Sequence, residues 1–483
     1  MQDTLKSLRY AVRPRVLAKY LGLLSMVIAC LALAPLAVSL WFEEYTLSAR
    51  YLLVIGGLLA LGLPTRNIGY PSDIQYNESL TITALAFVLS PLVMSYPMMG
   101  SGLTFMDAWF EAVSAITTTG LTTISNLESM PKTFLFARAW MQWYGGLGIV
   151  ILSVAIVMNH HTALRRLMNP EGESLVTTAR TYARRMLAVY VALTVAGLGL
   201  LMLLLDNSFY ALTYTLAAIS TGGFAPLTSS LSELSWQVQI SVMLLSLAGA
   251  IPFILYYRLR LGEWRKVIAD VEVQVLVGII LLLTLLLTLT LHAPNETTWS
   301  EALFHGGLLA ISAQTATGFT TVNIQGLDTA ALGILIVAMV IGGGIGSTAG
   351  GFKILRLLIL LRFIQFLIQR TSMPPHAVAE AKLSGKILDN RDIERALLLI
   401  ILFILTIVIS WIIFLAYGYA PFPALFEVAS ATATAGLSSG ITSHSLEGPL
   451  KFVLSIDMLL GRVEIIALLV VLYPGTWFGK RTE

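Results

Sequence analysis

The chain has 483 residues, of which 57% are hydrophobic and 12% charged. That balance excludes a soluble globular protein and sets the class as an all-α polytopic membrane protein. A net charge of +3 gives no footprint for nucleic acid, and the lone Cys30 allows no disulfide within the chain.

The basic run Lys6, Arg9, Arg13, Arg15 and Lys19 precedes an apolar stretch over 20–41 with no clear small-residue cleavage site. It reads as a retained first helix with its N-terminus inside. Residues 51–64 pair with it, so 1–77 form a hairpin module ahead of four tandem repeats. Repeat 1 (78–160) has an outward span over 79–97 and a short amphipathic helix over 105–116, opened by a capping-box pattern from Thr104 to Asp107. Thr118, Thr119 and Gly120 follow, and 134–158 return. Repeat 2 (161–270) has a span over 186–205, a short helix over 209–219, then Ser220, Thr221 and Gly222, and a return over 236–257. Repeat 3 (271–370) has a span over 273–291 and a second capping box from Thr298 to Glu301. Its short helix runs to about residue 313, Ala316, Thr317 and Gly318 follow, and 332–366 return. Repeat 4 (371–483) spans over 396–417, has a short helix over 422–430 with prolines at its start, then Thr434, Ala435 and Gly436, and returns over 452–473.

The four glycines recur about every 100 residues, which marks one unit used four times. Phe110 and Glu111 stand ten and nine residues before Gly120, as Phe426 and Glu427 stand before Gly436. In repeat 3 the comparable Phe304 lies four residues further back, so that short helix is expected to be one turn longer.

Charge sets the orientation. The stretches between repeats hold Arg165, Arg166, Arg180, Arg184 and Arg185, then Arg258, Arg260, Arg265 and Lys266, then the basic residues of 353–395, and the tail holds Lys480 and Arg481. The other side holds Glu43, Glu44, Glu128, Asp206, Glu233, Glu296 and Asp328, with Arg50, Lys132, Arg138 and Lys451 as its few basic residues. The positive-inside rule puts every short helix on the outer side. About 12 residues reach only about 18 Å, so each short helix descends part-way and aims its partly negative C-terminal end at the stretch that follows.

Each stretch is a run of small and hydroxylated residues ending in glycine, the composition from which a ring of backbone carbonyls can replace an ion's hydration shell. Four copies make a filter with pseudo-fourfold symmetry. A second motif interrupts the return span of repeat 3: Gly342, Gly343, Gly344, Gly346, Ser347, Thr348, Gly350 and Gly351, followed by Phe352 and Lys353. Gly342, Gly346 and Gly350 at every fourth position would suit a close-packed helix face. Six glycines in ten positions go beyond what packing requires and favour a flexible loop that crosses the ion path as a gate. In the last span Arg462 lies ten residues past Phe452, near the midplane, where a charge defaults to a functional reading. It is expected either as a positive barrier bonded to freed carbonyls of the loop or as the structural partner of Glu464 or another buried carboxylate.

These residues, with Met141, Gln142, Trp143, Gly145 and Gly146 at the first return span and the Met458 to Glu464 motif, resemble the TrkH/KtrB/HKT superfamily of potassium transporters. The resemblance covers about 78–475, and the N-terminal hairpin is similar to the TrkH branch. It implies potassium as the ion held by the filter carbonyls, four filter glycines for potassium selectivity, and a homodimer with one pore per subunit. It also implies TrkA-type cytosolic regulatory subunits that carry the nucleotide, no cofactor on this chain, and a bacterial inner membrane with both termini cytoplasmic. Ala435 departs from the Thr119, Thr221 and Thr317 pattern. The alternative is a secondary transporter coupling solute or potassium movement to sodium or protons. Against it, the repeats share one orientation and show no membrane-embedded carboxylate dyad. An enzyme is not expected: His160, His161, His292, His305, His376 and His444 lie mostly at span ends or in loops, with no metal-ligand spacing.

Overall fold

The computed structural model describes residues 11–69, 74–160, 175–295, 298–372, 374, 382–383, 386–463 and 465–478. Lys6, Arg9, Arg165, Arg166, His161, Glu296, His376, Glu464, Lys480 and Arg481 lie outside the described residues. Helices α1 (Pro14–Trp41) and α2 (Tyr45–Thr65) form the N-terminal hairpin. Repeat 1 contains α3 (Tyr76–Met98), α4 (Phe105–Ile116) and α5 (Lys132–His160). Repeat 2 contains α6 (Leu175–Leu204), α7 (Ser208–Ile219), α8 (Trp236–Ala250), α9 (Phe253–Arg260) and α10 (Trp264–Ile268). Repeat 3 contains α11 (Val271–Asn295), α12 (Trp299–Gln314), α13 (Thr329–Ile341) and α14 (Ile354–Thr371). A two-stranded antiparallel ribbon, Lys382–Leu383 with Lys386–Ile387, lies near the start of repeat 4. That repeat contains α15 (Asn390–Ala416), α16 (Pro421–Thr432), α17 (Gly448–Arg462) and α18 (Ile466–Leu472).

Among the described residues, six helices are long and apolar enough to cross a bilayer: the hairpin pair and the outgoing helix of each repeat. Leu203, Leu281, Leu282, Ile401 and Ile412 point away from the protein, where lipid tails solvate them as well as a core would. The four short helices occupy the centre. Their small residues, such as Ala108, Ala112, Ala217, Ala218, Ala310 and Ala429, are fully buried and let backbones approach closely. The caps follow the sequence pattern: Thr104 accepts from the Asp107 N–H, and Thr298 forms a complete capping box with Glu301. Helix α12 has 16 residues against 12 in each of the other three, the extra turn expected from the displaced Phe304.

The expectation of continuous return spans fails in repeats 2 and 4. Helices α8 and α9 meet at a 93° bend at Ile251 and Pro252. Proline cannot donate the ladder hydrogen bond, and its ring clashes with the preceding turn, so the helix ends there. In repeat 4 the helix stops immediately after Arg462, which therefore stands at a helix end and not within a continuous helix.

Candidate functional site

All four short helices terminate in one geometry. The residue after each C-cap takes the left-handed conformation: Thr118 at φ 54, Thr221 at 50, Ala316 at 51 and Thr434 at 50. Its N–H bonds three residues back, and the next N–H bonds five residues back. Thr118 N reaches Ala115 O at 3.0 Å and Thr119 N reaches Ser114 O at 2.9 Å, with counterparts from Gly222 N to Ala217 O, Thr317 N to Ser312 O, and Ala435 N to Ser430 O. This is the Schellman arrangement, used here without glycine at the left-handed position, at a cost of about 1–2 kcal/mol per residue.

The second residue beyond is a glycine with positive φ in every repeat: Gly120 at 90, Gly223 at 74, Gly318 at 89 and Gly436 at 81. A Cβ on Gly120 would overlap Gly222 O, on Gly223 Thr317 O, on Gly318 Ala435 O, and on Gly436 Thr119 O. Each glycine thus abuts a carbonyl of the next repeat, and the fourth returns to the first, which closes a ring.

The ring shifts the register of repeat 2 by one residue. Gly223, not Gly222, is the counterpart of Gly120, Gly318 and Gly436. Gly222 stands with Thr119, Thr317 and Ala435, Thr221 with Thr118, Ala316 and Thr434, and Ser220 with the C-caps Thr117, Thr315 and Ala433. The reason is the length of the helix ending: three residues must intervene between the last helical residue and the positive-φ glycine. Ala435 is therefore not alone in lacking a hydroxyl, because Gly222 lacks one too.

Two carboxylates hold the chain just past the ring. Glu111 Oε1 accepts from Thr122 Oγ1 at 2.7 Å and from Thr123 N at 2.8 Å, and its Oε2 lies 3.0 Å from Arg138 Nε. Glu427 accepts from Ser438 Oγ at 2.8 Å and from the N–H groups of Ser439 at 2.9 Å and Thr442 at 3.1 Å. The Phe-Glu pairs served above only as markers of repetition, and this clamping role was missed. Arg138 also stacks its guanidinium 3.7 Å from the Phe224 ring centre. Glu111→Ala leaves Arg138 as an uncompensated buried charge, a loss of about 3–5 kcal/mol. A clear drop in the melting temperature of the detergent-solubilised chain is the expected result; an unchanged transition refutes the pairing.

Glycines in three return arms press on the last carbonyl of their own short helix. A Cβ on Gly145 would overlap Ile116 O, on Gly249 Ile219 O, and on Gly461 Thr432 O.

The glycine-rich segment of repeat 3 is a loop over 342–353, with positive φ at Gly342, Gly346, Gly351 and Lys353. It packs against the short-helix ends. Thr348 Oγ1 donates to Ile219 O at 3.1 Å and to Gly249 O at 2.9 Å, and Gly351 N donates to Ala433 O at 3.0 Å. Gln314 Nε2 donates to Gly342 O at 2.5 Å, and Ile345 N donates to Glu272 Oε2 at 2.8 Å. The bend in repeat 2 makes room for this loop: Gly344 N reaches Ala250 O at 3.3 Å, and Phe253 N reaches Gly346 O at 3.2 Å. Arg462 is buried and its Nη1 donates to Thr348 O at 2.8 Å, the expected bond to a freed loop carbonyl. Among the described residues it has no salt-bridge partner; Glu464, the other expected partner, lies outside them. A small cavity lies between Gly350, Gly351, Lys353, Phe403 and Arg462.

Asp457, five residues before Arg462, is a buried carboxylate that the sequence reading passed over; Ser410 Oγ donates to it at 2.7 Å. At the rim the repeats are latched to one another. Lys451 Nζ meets Asp107 Oδ1 at 2.6 Å between repeats 4 and 1, and Leu231 N meets Thr320 O at 3.1 Å between repeats 2 and 3. Glu128 accepts from both the N–H and the hydroxyl of Thr228 at 2.7 Å between repeats 1 and 2. Slight desolvation works to raise the pKa of the exposed Glu128, but the bonds it accepts, those from Thr228 foremost, outweigh it and hold the carboxyl below its ordinary value.

Four inward helix ends, a closed ring of glycines and carbonyls, and a loop packed across it define a multi-pass membrane protein built around one central path. The model of the TrkH family, described as cation transport protein, matches residues 63–474. The chain belongs to that family. It is 30% identical over 457 residues to an uncharacterized cation transporter of Methanocaldococcus jannaschii, covering 93% of each chain. It is 28% identical over 487 residues to the Trk system potassium uptake protein TrkH of Salmonella typhimurium, covering 96% of this chain and 99% of that one. The crystal structure of the potassium transporter TrkH from Vibrio parahaemolyticus superposes with a TM-score of 0.85 at 26% identity, over 97% of this chain and 100% of that one.

Proposed function

We propose that this chain takes up potassium across the cytoplasmic membrane through the ring of Gly120, Gly223, Gly318 and Gly436 and the carbonyls beside them. The loop over 342–353 and Arg462 form the gate. The observation that carries the reading is the closed ring itself, in which four short helices direct their partly negative C-terminal ends at one point. Its backbone, not its side chains, supplies the oxygens, so Gly222 and Ala435 do not break it. The bacterial relatives named as Trk system potassium uptake proteins support potassium as the ion. They also support a place as the membrane subunit of a Trk-type system: a homodimer with TrkA-type nucleotide-binding subunits on the cytosolic side. The charge asymmetry of the loops supports both termini in the cytoplasm of a bacterial inner membrane. An ion-coupled transporter is the second reading, and the buried Asp457 is the observation that favours it.

The test is flux into liposomes with potassium or sodium as permeant, for wild type and Gly120→Ser. Wild type is expected to prefer potassium, and the variant to lose about tenfold or more of that preference, as a 1.4 kcal/mol disturbance of the ring would produce. A preference indifferent to Gly120 refutes the filter. Flux that moves protons or sodium in fixed proportion to potassium selects the second reading.

A further inference from the structure

The ring strands are braced differently in different repeats. In repeats 1 and 3 the C-cap hydroxyl gives its proton to the carbonyl four residues back, Thr117 to Val113 O and Thr315 to Ile311 O, each at 2.7 Å. The same oxygen then sits 2.8 Å from Thr119 Oγ1 or 2.7 Å from Thr317 Oγ1. With the proton of the first hydroxyl already engaged, the second hydroxyl is the donor, and this bond ties the strand to its helix end.

Repeat 2 keeps half of that device. Ser220 Oγ donates to Leu216 O at 2.8 Å, but Gly222 has no hydroxyl to return. The side chain of Gln142, from α5 of repeat 1, occupies the vacated place. It is fully buried; its Nε2 donates to Gly222 O at 2.5 Å, and its Oε1 accepts from Phe224 N at 3.2 Å. A Cβ built on Gly222 would overlap the amide carbon, oxygen and nitrogen of that carboxamide together. One turn earlier on α5, Arg138 holds both Phe224 and Glu111, so a single helix face braces the strands of two repeats.

We propose that Gln142 is a specificity-determining positioning residue. Its carboxamide replaces the missing threonine side chain of the second strand and sets the direction of the Gly222 carbonyl. This rests on the reading of the ring as the selectivity filter. The interaction is exchangeable, because Gly222 is not among the positive-φ glycines and an L side chain there needs only the space Gln142 fills. Ser220 Oγ is already placed to accept from a hydroxyl at that position.

The experiment measures the potassium-to-sodium flux ratio of the full chain in liposomes for Gln142→Ala, Gly222→Thr, the double variant and Gly120→Ser. Each single change in the Gln142–Gly222 pair is expected to lower the ratio about 3- to 10-fold, the effect of one or two lost hydrogen bonds. The double variant is expected to recover most of the loss, which a merely structural glutamine would not allow. An unchanged ratio in Gln142→Ala, or a double variant no better than Gln142→Ala, overturns the proposal. Where Gln142→Ala does not assemble, the double variant decides: a wild-type ratio supports the exchange, and a lowered one overturns it. If Gly120→Ser lowers the ratio while Gln142→Ala does not, the brace is wrong and the filter stands; if neither does, both fall.

Discussion

Gly223→Ala is expected to lower selective cation flux by at least about tenfold and toward a hundredfold, and to do so more severely than Gly222→Ala. Two penalties add at Gly223. Its φ of 74 costs an L residue about 1–2 kcal/mol. The new Cβ also overlaps the backbone carbonyl of Thr317, which cannot move without carrying the third strand with it. At Gly222 the backbone is already permissive, and the obstacle is the Gln142 side chain, which can rotate away at the loss of its two hydrogen bonds. Flux in liposomes, with the ion preference recorded for each variant, separates the two. A greater loss from Gly222→Ala restores the register that pairs Gly222 with Gly120.

Arg462→Ala is expected to raise basal cation flux through the isolated chain about 10- to 100-fold. The change removes a charge-assisted hydrogen bond from Nη1 to Thr348 O, worth about 1.5–3 kcal/mol, and so shifts the loop toward release by that factor. It also removes a buried positive charge beside the loop. Thr348 is the right residue to hold, because its own hydroxyl and N–H fasten the loop to Ile219 O and Gly249 O. Arg462→Lys keeps the charge without the fork of donors and is expected to fall between the two. Potassium efflux from loaded liposomes reads the series. Equal flux from all three proteins removes Arg462 from the gate.

Much of the architecture was legible because it depends on local pattern. The short helix of repeat 1 is found at Phe105–Ile116, as its amphipathic period and Thr104 cap required. The displaced Phe304 correctly announced a longer third helix, and the glycine cluster correctly announced a loop in the third return arm. The break at Pro252 carried a local signal in the proline itself, but the uninterrupted hydropathy around it concealed the end of α8. The register of repeat 2 was hidden for a different reason. Two adjacent glycines satisfy the same composition, and the count of residues after Ile219 is what distinguishes them. Ile219 in the place of Ile116 was the available clue.

Gln142 and the glutamates were not legible as braces. Gln142 lies 80 residues from Gly222, and Glu111 lies 27 residues from Arg138 in the following helix. A lone polar side chain on an apolar helix reads alike whether it is a functional contact or a satisfied core group. Which of these it becomes depends on what the neighbouring repeat places against it. The sequence by itself determined the membrane class, the fourfold use of one unit, the short helices and the place of the interrupted segment. Each is written in hydrophobic period, caps and glycine, whose effects act within a few residues. Only the tertiary structure decided which glycine of repeat 2 enters the ring, which carbonyls face it, and where the loop and Arg462 are fastened. Those outcomes are set by contacts between repeats about 100 residues apart, and no local propensity encodes them.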